Sequence, residues 1–278
     1  EETIGALGLS GLQGAGLLEV THDDEGAKVK SFHPAKAAMA GLLAAILAKR
    51  EIRGPFAVLE GKDGLLRAVA DEVKEELLTH GLGQQFEIDK AYIKVYAACR
   101  HIHAQIEATL AACREGQIDH EEIEEISIET YPDAINICST VHPTTPSSAR
   151  FSLPFSVALV LLKNGATADK YSDENISDAN IQSLAGKIRV SVSSKWEQAF
   201  PYKKGSSVTV TDTKGRMGSA EVDMPKGEPP GDPVSWEDIH NKFLTNATML
   251  ISENDAARLN DTIMNLEKVS LSQFTQLI

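Results

Sequence analysis

The chain has 278 residues, 42% of them hydrophobic, with 40 acidic against 27 basic side chains and a net charge of −13, enough material for one large or two ordinary cores. That acidic surplus excludes general binding to nucleic acid or anionic membranes, which draws on basic patches. The longest uncharged apolar run, residues 37–48, is shorter than the ~20 residues of a spanning helix, so no membrane partner is expected either.

Residues 3–18 carry glycines at 5, 8, 11 and 14 among leucines, which predicts a helix with a smooth face that forms only against a close neighbour. No strand precedes it and the spacing is not G-x-G-x-x-G, so it does not read as a dinucleotide loop. If that face stays open it drives self-association, and a homodimer is expected. The opening EETIGALGL lacks the basic start and apolar core of a signal peptide, and the missing initiator Met points to a fragment or processed chain. Cys99, Cys113 and Cys138 form no C-x-x-C pair, which suits a reducing cytoplasm.

The stretch 28–50, KVKSFHPAKAAMAGLLAAILAKR, joins a cationic cluster to an apolar helix. Pro34 suits the first helical position, with His33 as N-cap, and residues 37–48 are apolar nearly all round, which predicts a buried helix. Free N–H groups beside Lys30, His33 and Lys36 would favour an anion. The lysines can equally be solvated ends of a core helix, and local physics leans that way. Gly54-Pro55 then stops the chain before short amphipathic helices at 63–70 and 71–80, so residues 1–85 read as helical.

From Phe86 the pattern FEIDKAYIKVY predicts a strand, followed by a helix over 100–114 and a strand over 123–130. A turn, PTTPSS, introduces an apolar helix at 148–162, and residues 164–181 read as irregular or weakly helical. Strands are expected at 188–193, 207–213 and 218–223, the last two as a hairpin across Lys214-Gly215. The linker KGEPPGDPVSWEDI ends in a capping box, Ser235 with Asp238, and helical periodicity continues through 254–266 and 270–278.

Lys94, Arg100, His101 and His103 fall within ten residues. Cys99 and His103 would be one helical turn apart, but no second ligand pair has metal spacing, so no metal is expected. Two readings stay open: an anion-binding edge with a proton-transfer histidine, or surface histidines on an ordinary helix. No G-x-S-x-G nucleophile is present, and Arg150 reads as a surface charge.

In this order, KSFHPAKAAMAGLLAA, KVYAACRHIHAQIEA, ARFSLPFSVALVLL and DPVSWEDIHNKF resemble the MmgE/PrpD family, whose members include 2-methylcitrate dehydratase and cis-aconitate decarboxylase. The resemblance implies a mainly α protein with an α+β lid. A helical domain would form from both chain ends (1–85 and 229–278), with a smaller mixed domain (86–228) between them. The family's first helical segment has no counterpart in the sequence, so an N-terminal part with further active-site groups is expected to be missing. Cofactor-free lyase chemistry on a small di- or tricarboxylate is implied, a 2-methylcitrate dehydratase of propionate metabolism foremost. An epimerase, a decarboxylase or a catalytically incomplete assembly subunit are the alternatives.

By motif position, Lys30 and Lys94 match the family's active-site lysines and, with His101, are the catalytic candidates. His33, Lys36, Arg100, His103 and Phe155 are the substrate-binding candidates. Phe155 stands where many members have tyrosine, and Ala97 replaces the proline of K-x-Y-P.

Overall fold

The computed structural model describes residues 1–14, 16–17, 29–229 and 231–276. It divides into two units, Glu1–Glu87 and Ile88–Ile278.

In the first unit, helix α1 (Glu2–Gly11) ends well before the predicted boundary, and residues 15 and 18 of that expectation lie outside the described residues. Its glycines serve close packing. A Cβ on Gly8 would stand 2.6 Å from the Pro55 carbonyl oxygen, and one on Gly11 2.5 Å from a Val58 methyl. The Gly54 N–H donates to the Gly5 carbonyl at 3.1 Å. The smooth face is therefore filled by residues 53–58 of the same unit, and it is not open for self-association as the sequence suggested.

Helix α2 (Phe32–Lys49) packs on α1 through Ala40, Ala44 and Ala48, one residue per turn. The expected all-round burial does not occur. Met39, Leu42, Leu43 and Ile46 are 57%, 66%, 46% and 53% exposed, because α2 meets its neighbour in this unit along one narrow stripe. The N-cap is Ser31 rather than His33, which makes Pro34 the third helical residue. It is still within the first turn, where an N–H has no intrahelical acceptor, so the missing donor costs nothing. Of the two short helices expected next, one forms at Leu65–Val69 and the other is a 3-10 turn at Glu75–Leu78.

In the second unit the predicted strand at 86–96 is absent. A 3-10 turn at Glu87–Lys90 leads into irregular chain. The Ile93 N–H donates to Gly227 and the Ala97 N–H to Ala166, isolated bonds to different segments that never become a ladder.

A 3-10 turn at Arg100–Ile102 opens α3 (His103–Gly116), followed by β1 (Ile123–Thr130), α4 (Pro132–Cys138) and α5 (Leu153–Lys163). Then come α6 (Ala179–Ala185), β2 (Ile188–Val192), α7 (Ser194–Ala199), β3 (Ser206–Asp212) and β4 (Met217–Val222). The unit closes with α8 (Trp236–Ala247) and α9 (Glu253–Met264). The strand order is β2-β1-β3-β4, with β1 and β2 parallel and the other pairs antiparallel, so the described residues are mainly helical with one small mixed sheet.

The strand period of two puts Ile126, Ile128, Val208 and Val210 on the buried side, where they join Ile102 and Ile106 before and within α3 and Leu153, Phe155 and Leu159 of α5. The hairpin turns at Gly215, φ +77°, where only glycine is unstrained. Both halves of the predicted capping box form at α8: the Asp238 N–H donates to Ser235 Oγ and the Ser235 N–H to Asp238 Oδ2.

Candidate functional site

The segment 93–103 of the second unit carries most of the cationic candidates, and the structure gives each a different setting. Lys94 donates from Nζ to the Ala98 carbonyl at 3.2 Å and lines a cavity of about 240 Å³. Ile93, Val95, Ala97, Thr167 and Ala168 also line it, and α8 supplies Asp238, Asn241, Lys242, Thr245 and Asn246. Lys242 donates from Nζ to the Lys94 carbonyl at 2.7 Å, so α8 is tied to the backbone of that lysine. Ala97, the departure from the family's proline, uses an N–H that proline lacks in its 2.7 Å bond to Ala166.

Asp238 brings little free negative charge to this cavity. Lys226 holds it at 2.9 Å, and that bond, with the Ser235 N–H, takes its carboxyl down to about 2. Lys242 stands one turn further along α8, where an i, i+4 pair with Asp238 would ordinarily form. Among the described residues Lys242 has no carboxylate within ion-pair distance, because Asp238 is committed to Lys226 and the helix cap.

Arg100 is a clamp. Its buried guanidinium pairs with Glu228 at 3.0 Å, donates to the carbonyls of Pro225 and Lys226, and donates from Nη1 to His103 Nδ1 at 3.0 Å. Its face covers the Tyr92 ring at 4.6 Å. With its donors spent on protein groups, it fixes the 225–228 segment and presents no open fork to a ligand.

His103 is fully enclosed, and burial first, then Arg100 and Lys94, push its pKa down to about 3. Its Nε2 has no hydrogen-bond partner among the described residues. Glu107 accepts the Lys226 N–H on both oxygens, and burial raises its pKa.

His101 sits apart from the Lys94 cavity in an aromatic group. Its Nδ1 lies 2.7 Å from the Tyr131 hydroxyl, and its ring tilts against Tyr131 and Phe200. Phe155 is wholly inside the core of the unit, 6.3 Å from the Tyr171 ring, and it lines none of the cavities described. Arg150, read from sequence as a surface charge, is half-buried over Tyr171, with its Nε enclosed and without a hydrogen-bond partner among the described residues.

The first unit holds the other three candidates. His33 and Lys36 line a cavity of about 860 Å³ with Ser10, Gln13 and Phe32, between the end of α1 and the first turns of α2. Lys30 is exposed just before that helix and is not among the lining residues. Sequence reasoning missed Lys242, Asn241 and Thr245, although the i, i+3, i+4, i+7 spacing from Asp238 was there to suggest one polar helix face. Nothing local signals Tyr131 or Glu228.

The MmgE/PrpD C-terminal domain model matches residues 96–268, and the MmgE/PrpD N-terminal domain model matches residues 1–77. Cis-aconitate decarboxylase from Aspergillus terreus (strain NIH 2624) is 23% identical over 282 residues, covering 95% of this chain and 56% of that protein. Cis-aconitate decarboxylase-like protein oryM from Aspergillus oryzae is 22% identical over 283 residues, covering 96% of this chain and 57% of that protein. The chain thus spans a little over half the length of these relatives.

Proposed function

The chain belongs to the MmgE/PrpD family, and from that premise we propose that the protein it comes from is a lyase acting on a small di- or tricarboxylate by proton transfer beside a carboxylate. The observation that carries this is a cavity lined by both Lys94 and Lys242, two cations that a polycarboxylate would meet there. Its volume is below the ~300–1,000 Å³ usual for drug-sized ligands and suits a compact acid.

Loss of CO₂, or removal of the proton that precedes loss of water, leaves an electron pair on a carbon conjugated to a remaining carboxylate. A fixed ammonium at that carboxylate stabilises the developing enediolate-like charge more than mobile water does. Lys94 fills that role in our reading. Lys30, His33 and Lys36 are proposed as further carboxylate contacts on family resemblance, as are a homodimeric state and a cytoplasmic setting. His101 is proposed as the catalytic histidine on the same resemblance, His103 being sealed and neutral.

Between the two reactions, the relatives' name favours decarboxylation of a cis-aconitate-like acid. Dehydration of 2-methylcitrate and epimerisation share the same proton chemistry. The full-length protein should be given cis-aconitate, citrate and 2-methylcitrate while CO₂ release and the C=C absorbance are followed. CO₂ without loss of an alcohol marks a decarboxylase, and gain of C=C marks a dehydratase. Activity unchanged in Lys94→Ala removes Lys94 from the mechanism, and no turnover of any of the three acids leaves the assembly-subunit reading.

A further inference from the structure

Residues 153–161 of α5 are all buried, and the helix ends where the chain leaves the core. Asn164 at that end is exposed and left-handed, φ +53° and ψ +44°, a conformation asparagine tolerates better than most residues with a Cβ. Gly165 follows at φ +147°, and a Cβ built on it would meet nothing within 4 Å. This is the sole Asn-Gly pair in the sequence. Among the described residues the Asn164 carboxamide has no hydrogen-bond partner, and the Gly165 N–H reaches no acceptor. Asn164 also borders a cavity of about 370 Å³, with Cys113 of α3 and Leu161 of α5, so its side chain has room to turn.

The other asparagines are held. The N–H groups after Asn175 and Asn180 donate to Ser172 and Asp178, and the Asn265 carboxamide donates to the Asp261 carbonyl. The rest lie within α4, α8 and α9, where the helical ladder or its cap engages the next N–H.

We propose that Asn164 is a site of spontaneous modification, at which the Gly165 nitrogen closes on the Asn164 side chain and the residue becomes isoaspartate or aspartate. The Gly165 nitrogen loses its proton to solvent base and bonds to Asn164 Cγ. The bond from Cγ to the carboxamide nitrogen breaks, and that nitrogen takes up a proton and leaves as ammonia. Water then adds to either carbonyl of the five-membered succinimide and opens it. Attack at Cγ gives aspartate, and attack at the main-chain carbonyl gives isoaspartate. Glycine permits the closure, because a Cβ at 165 would crowd the attacking nitrogen.

Isoaspartate inserts a methylene into the main chain at this turn. Two residues on, the Ala166 carbonyl accepts the Ala97 N–H at 2.7 Å, and Thr167 and Ala168 line the cavity that Lys94 and Lys242 share. Ala166 is buried, so the turn has little slack for the extra length, and the cavity lining shifts with it. The modification is thus a slow, one-way loss of function. That consequence rests on the lyase reading, whereas the chemistry at Asn164 does not.

Full-length protein should be kept at pH 8 and 37 °C, sampled over days, digested with pepsin at low pH, where ring closure is slow, and followed by mass spectrometry. Asn164 should convert within about tenfold of its rate in the urea-unfolded chain, as expected of an open site, with isoaspartate and aspartate both present. An intact Asn164 where the unfolded chain reacts, or aspartate without isoaspartate, overturns the modification.

For the consequence, Asn164→Gly keeps the left-handed turn and has no carboxamide. Turnover of cis-aconitate, citrate or 2-methylcitrate should fall in step with isoaspartate content in the aged wild type and hold in Asn164→Gly aged beside it. Equal loss in both, or full activity in converted protein, overturns the link to the cavity. If isoaspartate forms and fresh protein turns over none of the three acids, the lyase reading fails and the modification stands.

Discussion

Arg100 Nη1 donates to His103 Nδ1 across 3.0 Å, and because arginine has no acceptor the histidine must present its lone pair there. His103 is therefore neutral, with its proton on Nε2, and its pKa is about 3, through burial first and then Arg100 and Lys94. No titration of His103 should be visible by NMR between pH 5 and 8. The unfolded histidine takes up a proton below about 6.5 while the folded one does not. The stability contributed by the neutral form is thus fully present above that pH and is lost as pH falls toward 3. Urea midpoints measured at pH 7 and pH 5 should drop more in the wild type than in His103→Asn, which retains an acceptor but cannot titrate.

The same guanidinium makes a second prediction. Arg100 and Glu228 are 4% and 14% exposed, so removing Arg100 leaves the enclosed Glu228 carboxylate only Lys204, at 3.9 Å. Arg100→Ala should destabilise by about 3–5 kcal/mol. Arg100→Lys should recover little, because one ammonium cannot reach Glu228, two carbonyls and His103 together. The surface pair Lys195–Glu221, half-exposed on both sides, is the control, and Lys195→Ala should cost under about 1 kcal/mol. Comparable losses at the two pairs in urea titration would contradict the clamp.

Some of these relationships could be read in the sequence and some could not, and the difference is one of range. The strands at 123–130 and 206–212, the hairpin at Gly215 and the capping box of Ser235 with Asp238 rest on neighbours a few residues apart, so alternation and spacing reveal them. The segment 86–96 alternates just as well, yet it finds no partner strand, and a strand exists only in a pair. Arg100 meets Glu228 across 128 positions and His101 meets Tyr131 across 30. No local pattern encodes either contact. The family motifs placed Lys94, Arg100, His101 and His103 together, but they could not show that Arg100 is spent on the protein or that His103 is sealed.

Packing in the first unit gives a third prediction. Gly8 lies against Gly54 and Pro55 with no room for a methyl group, whereas Leu42 on α2 is 66% exposed. Gly8→Ala should therefore destabilise despite the better helix propensity of alanine, by about 1–3 kcal/mol from the forced backbone shift. Leu42→Ser should stay within about 0.5 kcal/mol for the isolated chain. Amide exchange in α1 reads both: faster exchange in the glycine variant alone is the expected result.

Lys242 gives the last prediction, from the lyase reading. Its ammonium donates one of three protons to the Lys94 carbonyl, and the carboxylate one turn away on its own helix is held by Lys226. Two protons remain for a ligand, at a cavity that Lys94 also lines. Lys242→Gln keeps a donor for the carbonyl and removes only the charge. Because Lys242 is exposed, solvent screens it and the effect should be modest, a three- to tenfold rise in KM for a tricarboxylate, by the ~1 kcal/mol scale of exposed charge pairs. The rise should shrink as salt shortens the Debye length, and Lys242→Arg should restore the wild-type value. A salt-independent loss in Lys242→Gln, or no rescue by arginine, would mean that the residue only braces the Lys94 segment.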